Sequence, residues 1–229
     1  MTDKEHVDII AIDGPAGSGK STTARLVARK IGFTYLDTGA MYRAFALKAH
    51  QHGVKPEDAT RLNELIRETD IRLLTKNERL RVLLDGEDVT REIRTENISR
   101  LVATVAAQPS VRLWMVSLQR KIACCGGIVA EGRDIGTVVF PNARLKIYLK
   151  ASLETRAKRR LGDFQKQNEK TELQRIVREI DRRDKFDSNR KNSPLIKAAD
   201  AIEIDTTNLS IEEQVNLIVE HWQKRKMQK

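Results

Sequence analysis

Gly14-Pro15-Ala16-Gly17-Ser18-Gly19-Lys20-Ser21-Thr22 fits the pattern G-x-x-x-x-G-K-[ST], and its flanks supply the context that the pattern needs. Ahead of it, Val7 to Asp13 is a short apolar run that predicts a buried parallel strand. Behind it, Ala24, Leu26, Val27 and Ile31 fall at helical spacings. Strand, glycine loop and helix in that order predict a phosphate-binding loop. Gly14, Gly17 and Gly19 let the backbone approach a ligand without Cβ clashes. Successive N–H groups and the helix N-terminus then face a polyphosphate. Lys20 supplies a mobile charge to the β- and γ-phosphates, and the Ser21 hydroxyl is placed to ligate Mg²⁺. The competing reading is a Gly-rich turn with a solvated lysine. The flanking strand and helix favour a nucleoside triphosphate site.

The chain has 229 residues, of which 40% are hydrophobic and 32% charged, the balance of a globular domain with room for a sizeable core. Its 42 Lys and Arg against 32 Asp and Glu leave a formal charge of +10. That surplus predicts polyanionic partners, nucleic acid or charged small substrates, unless it serves solubility alone. Met1 to His6 is polar, and no run approaches the ~18 apolar residues of a membrane span. Cys124 and Cys125 are adjacent, which suits neither a disulfide nor a metal site, and they read as reduced and structural. These features predict a cytoplasmic enzyme.

Outward from the loop, 33–37 reads as a second strand, and Thr38 reads as the N-cap of a helix running to about His52. Periodicity predicts a helix over 57–68 and antiparallel strands at 71–75 and 80–84, with Asp85-Gly86 as a turn. Helices follow at 95–107 and 110–123, separated at Pro109. The alternation of strand and helix resumes with strands at 127–131, 145–149 and 201–205 and helices at 152–167 and 171–187. Ser210 and Glu213 form a capping box for the last helix. The expected fold is a three-layer α/β P-loop kinase with a five-stranded parallel sheet. To it are added an inserted piece with a small antiparallel sheet, at about 56–123, and a helical lid, at about 153–170. The core then takes about 7–55, 124–152 and 171–229 of a single domain.

The loop alone does not choose a reaction. N-K-x-D, the mark of a guanine switch, is missing from the sequence. Glu131, ending an apolar strand, resembles an ATPase carboxylate, yet Arg133 beside it favours a second anionic substrate. Arg156, Arg159 and Arg160 sit at i, i+3 and i+4, either a solvated helix face or a phosphate site. Arg183, Asp187 and Arg190 sit at i, i+4 and i+7, two forks around one carboxylate if the helix persists. Bringing ATP to a second phosphate sets like charges against each other, each pair costing about 4 kcal/mol at 4 Å and an effective dielectric of 20. Arginines and Mg²⁺ neutralise that repulsion, and arginine grips phosphate bidentately.

Here the sequence resembles the bacterial cytidylate kinases, a nucleoside monophosphate kinase family. The resemblance is carried by 12–21, by Leu36-Asp37-Thr38-Gly39-Ala40-Met41-Tyr42-Arg43, by 131–141 beginning Glu131-Gly132-Arg133-Asp134, and by Arg182-Arg183-Asp184 with Asn189-Arg190. Asp85 to Val89 with Ile93 to Thr95 matches the family's insertion, and the likeness runs from about Ile9 to the last helix. It implies phosphorylation of CMP and dCMP by Mg·ATP, the alternative being another nucleoside monophosphate such as UMP. It implies that Thr38, Arg43, Arg133 and Arg190 hold the acceptor phosphate, that Arg112 and Asp134 read the cytosine, and that Arg183 and Asp187 reach ribose and phosphate. Lys20, Arg133 and Arg183 are then the catalytic residues. Gly14 to Thr22 with the lid residues Arg156, Arg159 and Arg160 hold ATP. Taken without the resemblance, Arg112 is an ordinary helix surface residue and Asp134 a helix cap. Ala103, with Thr104 beside it, stands where some relatives carry a hydroxyl near the base, and Glu131 replaces a common Asp. Partners are expected to be small nucleotides, with no specific nucleic acid, no membrane and a monomeric state. Aromatics at 4% and the lack of a nucleic-acid-binding motif agree with that.

Overall fold

The computed structural model describes residues 8–76, 79–166 and 171–227. Val7 of the expected first strand, Asn77 and Glu78 of the hairpin turn, and residues 167–170 of the expected lid lie outside them. The chain divides into two compact units, Met1–Leu36 with Ala123–Lys229, and Asp37–Ile122.

The first unit is built on a parallel sheet of β1 (Ile9–Asp13), β2 (Thr34–Asp37), β6 (Ile128–Gly132), β7 (Leu145–Lys150) and β8 (Ile202–Asp205), in the order β2-β6-β1-β7-β8. β1 lies in the middle and pairs in parallel with both β6 and β7, with Asp13 opposite Gly132 on one side and Tyr148 on the other. Every residue of β6 is buried. That burial explains why the central strands read as continuous apolar runs rather than alternating ones. One face carries α1 (Lys20–Ile31) and α8 (Ile211–Met227). Ala24, Val27 and Ala28 meet Val215, Ile218, Val219 and Trp222 over Ile10, Ile12, Val129, Leu145, Ile147 and Leu149. Phe33 closes this core edge-on to Trp222, with ring centroids 5.3 Å apart. The capping box forms as read. Ser210 N donates to Glu213 Oε2 at 2.7 Å, and Glu213 N donates to Ser210 Oγ at 3.2 Å.

Helices α6 (Leu153–Lys166) and α7 (Leu173–Asn189) pack as a pair around Ala157, Ile176 and Ile180. α7 ends at Asn189, so Arg190 caps it rather than lying within it, and Ser193 sits at φ 50 just beyond. Between β6 and β7, Ile135–Val139 winds as one turn of π-helix. Its five residues lack a periodic apolar pattern long enough to announce a helix.

The second unit begins with α2 (Thr38–Gln51), buried on most of its circumference through Ala40, Met41, Ala44, Phe45, Ala46 and Leu47. Its cap is Asp37, which accepts from Ala40 N at 2.7 Å. The expectation of Thr38 as N-cap is therefore corrected by one residue, because the Asp37 carboxylate already satisfies the orphan N–H. After α3 (Ala59–Arg67) comes a small antiparallel sheet of β3 (Ile71–Lys76), β4 (Arg79–Leu84) and β5 (Glu87–Asp88). Asp85 and Gly86 both take positive φ, 52 and 91, as a tight two-residue hairpin turn requires. Lys48, itself buried, donates to Glu68 O at 2.6 Å and pairs with Asp85 at 2.7 Å, fastening α2 to this sheet. α4 (Glu96–Ala107) and α5 (Pro109–Ile122) meet at 95°. Gln108 is extended, as the residue before a proline must be, and Pro109 opens α5, where its missing N–H costs nothing. Among the described residues no single helix is long and apolar enough to cross a membrane, and only this bent pair reaches the length and composition.

Candidate active site

Residues 14–19 leave the carboxyl end of the central strand and enter α1, which places the loop where strand order reverses in a parallel sheet. Gly14 shows why the motif is strict there. It takes φ 151, and a Cβ on it would lie 2.1 Å from the Leu149 carbonyl oxygen. Lys20 is 5% exposed, and its ammonium donates to Pro15 O at 2.6 Å and to Ser18 Oγ at 3.3 Å. Burial and the guanidinium of Arg133 bring its pKa down to about 7, against the pull of Glu131 and Asp13.

Glu131, the penultimate residue of β6, is buried and accepts from Ser21 Oγ at 2.5 Å and from Tyr35 OH at 3.1 Å. The carboxylate whose role the sequence left open is thus joined to the loop hydroxyl expected to meet the metal. A serine hydroxyl and a carboxylate oxygen are hard donors, and Mg²⁺ takes one or two such ligands while keeping waters and substrate phosphates. The donor set fits that ion. Among the described residues no group of three or more His, Cys, Asp or Glu is arranged to hold a metal.

Beyond β6 the basic residues of the first unit gather around Asp187. Arg133 Nε donates to Asp187 Oδ2 at 2.9 Å, and Arg183 Nε lies 3.9 Å from the same oxygen. Arg190 pairs with Asp134 at 3.8 Å, both side chains 6% exposed. Burial pushes the Asp187 carboxyl up, but Arg133, Arg183 and Arg190 outweigh it and hold it below the usual range. Burial works against the charge on Arg133, but Asp187, with Glu131 and Asp184, outweighs it and raises its pKa. Three guanidiniums and two carboxylates leave one positive charge, before Lys20, for an anionic ligand to balance. Asp134, the alternative cap, makes no side-chain capping bond to the π turn that follows it.

The three arginines of α6 diverge. Arg156 is bonded to Asp184 and donates to Ala16 O at 3.0 Å, while Asp184 Oδ1 accepts from Ala16 N at 3.3 Å. Arg159 donates to Thr206 O at 2.5 Å and Thr206 Oγ1 at 3.1 Å, and that hydroxyl bonds Ser18 O at 3.1 Å. Arg160 lies over the Phe164 ring at 4.8 Å, an i,i+4 aromatic partner that turns it along its own helix. Asp184, Tyr35 and Thr206 were not singled out by sequence. Only Asp184 carried a signal, inside the quoted Arg182-Arg183-Asp184.

In the second unit Thr38 is buried at the start of α2, and Arg43 Nη2 lies 3.6 Å from Asp37 Oδ1. Arg112 is only 5% exposed, so it is not an ordinary surface residue of α5. It lies over the Tyr42 ring at 5.5 Å and donates to Ala106 O at 3.3 Å. Thr104 donates its hydroxyl to Leu101 O within its own helix, at 2.8 Å. Cys124, read as structural, is exposed.

The glycine loop, the buried lysine and the hydroxyl–carboxylate pair at the carboxyl end of a parallel sheet define a P-loop nucleotide-binding protein. The cytidylate kinase family profile matches residues 10–224, and the chain belongs to that family. A cytidylate kinase of Pediococcus pentosaceus is 49% identical over 220 residues, covering 95% of this chain and 97% of its own. One from Bacillus pumilus is 52% identical over 211 residues, 92% and 94% of the two chains. A crystal structure of an uncharacterized protein from Eubacterium ventriosum shares the fold at 13% identity and a TM-score of 0.50, over 93% of this chain and 97% of that one.

Proposed function

We propose that this chain transfers the γ-phosphoryl of Mg·ATP to the 5′-phosphate of CMP and dCMP, giving CDP and dCDP. The observation that carries it is the family match over residues 10–224 on a chain whose loop lysine lies against Pro15 O and whose Ser21 hydroxyl bonds Glu131. Gly14, Pro15, Ala16, Gly17, Ser18, Gly19, Lys20, Ser21 and Thr22 cradle the triphosphate of ATP through backbone N–H groups and the α1 N-terminus. Ser21, with Glu131 bonded to its hydroxyl, would hold Mg²⁺, which would supply neutralising charge to the triphosphate.

The acceptor phosphate is a dianion at neutral pH, its second pKa near 6, so no general base is needed. What the residues must do is position and neutralise. Arg133 and Arg183 take the phosphate charge, the family resemblance assigns Arg190, Thr38 and Arg43 to the acceptor phosphate, and Asp187 accepts from ribose. Arg112 donates to the acceptor atoms of cytosine while Asp134 accepts from its amino group, the complementary pair for that base. Residues 56–123 serve as the nucleotide-binding insertion. Residues 153–170 serve as a lid whose Arg156, Arg159 and Arg160 close on ATP and keep water from the γ-phosphate. The enzyme works as a cytoplasmic monomer.

A substrate panel with Mg·ATP, following ADP release, tests this. CMP and dCMP are expected to exceed UMP and AMP in kcat/KM by at least tenfold. AMP turned over as well as CMP overturns the assignment.

A further inference from the structure

Asp13 ends the central strand one residue before the phosphate loop, and its side chain is committed elsewhere. Its Oδ1 accepts from Ile135 N at 2.8 Å and its Oδ2 from Gly136 N at 2.7 Å. Those two N–H groups open the π turn that directly follows Arg133 and Asp134. Groups at the start of a helical turn have no partner within it, so one carboxylate answers two orphan donors. The joint has little slack on either side. Gly14 admits no side chain against Leu149 O, and a Cβ on Gly136 would stand 3.1 Å from Lys146 Cδ.

A 5% exposed carboxylate is a costly way to hold a turn. Burial brings its pKa up to about 6, against the pull of the Gly136 and Ile135 N–H groups and, more weakly, of Lys20, with Asp134 adding to the rise. Because the proton leaves more readily in the unfolded chain, the native state is penalised at neutral pH by the charge it keeps. A single cap would need one neutral acceptor. The bidentate carboxylate instead locks two segments that touch different substrates, the loop for ATP and Arg133–Asp134 for the acceptor. From the other side the same pair is held by Asp187 of α7 and by Arg190, which caps that helix, through Arg133–Asp187 and Arg190–Asp134.

We propose that Asp13 is a positioning residue that fixes the acceptor-binding pair Arg133–Asp134 against the phosphate loop, setting the approach of acceptor phosphate to γ-phosphoryl. The inference rests on the assignment of Arg133 and Asp134 to the acceptor nucleotide. In-line transfer needs reacting atoms at ~3–3.5 Å, and a displacement of about 1 Å costs ~10²-fold in rate.

Asp13→Asn keeps the shape but leaves one N–H facing an amide NH₂. The loop and the α7 ion pairs remain, so the dissociation constants for Mg·ATP and CMP, measured by calorimetry, should stay within about threefold of wild type while kcat falls ten- to a hundredfold. A purely structural Asp13 would lower the melting temperature and leave kcat per folded molecule unchanged, which overturns the proposal. Equal weakening of ATP binding overturns it too, since the loop itself would then have failed. If Asp13→Asn does not fold, Asp13→Glu keeps the charge and shifts the acceptor by one methylene, and the same kcat reading on that variant decides. Wild-type enzyme inactive on CMP in the parallel assay would instead sink the functional assignment, a separate result.

Discussion

Asp187 shows how one residue's chemistry is set by its neighbours. Exposed, it would be one carboxylate among 32 acidic residues. Burial alone would raise its pKa, but Arg133, Arg183 and Arg190 outweigh that and hold it below its usual range. A depressed folded pKa contributes stability above the unfolded value, near 3.8, and that contribution is lost as pH falls through the folded value. Asp187→Asn should therefore be less stable than wild type at pH 7, by about 3 kcal/mol if Arg133 is left unpaired. The gap should close as pH drops below 4. Urea midpoints for both proteins at pH 7, 4 and 3 measure it, and a gap independent of pH would show that the charge of Asp187 is not what matters. The residue scale is also where sequence reading was weakest. Arg112, which taken alone reads as an ordinary surface residue, is buried over the Tyr42 ring. That packing partner lies on another helix and cannot be chosen from spacing, whereas the stacking of Arg160 on Phe164 follows from their i,i+4 separation.

Elements were more legible, because their signals are local. The capping box at Ser210 and Glu213 can be read from two residue types three positions apart, and both hydrogen bonds form. Ser210→Ala keeps the backbone donor but removes the hydroxyl that accepts from Glu213 N, and should cost about 1 kcal/mol, seen as a lower urea midpoint at unchanged m-value. No loss would mean that α8 is held by Trp222 and its neighbours alone. Pro109 divides α4 from α5 for an equally local reason, and the tight turn at Asp85-Gly86 follows from residues that tolerate positive φ. The π turn at Ile135–Val139 escaped the reading, since what holds its first two N–H groups is Asp13, more than 120 residues away in sequence.

For the whole molecule, a formal charge of +10 permits polyanion binding of any kind. In the first unit much of that charge is organised around ion pairs and a phosphate loop rather than along a groove lined with aromatics. Association with duplex DNA should accordingly be weak and lost between 50 and 200 mM salt, as counterion release dictates. Filter binding across that range tests it, and tight binding at physiological salt would point to a second role. The sequence by itself determined the parallel α/β class, the phosphate loop and, through four motifs in order, the family. All of these rest on contiguous residues whose backbone needs are local. Tertiary structure alone decided that Glu131 bonds Ser21, that Asp184 reaches Ala16, that Asp13 holds the turn beyond Arg133 and Asp134, and that Asp187 sits among three arginines. Such pairings join distant segments, and only the closing of the sheet and the packing of α7 bring their charges within a few ångströms of one another.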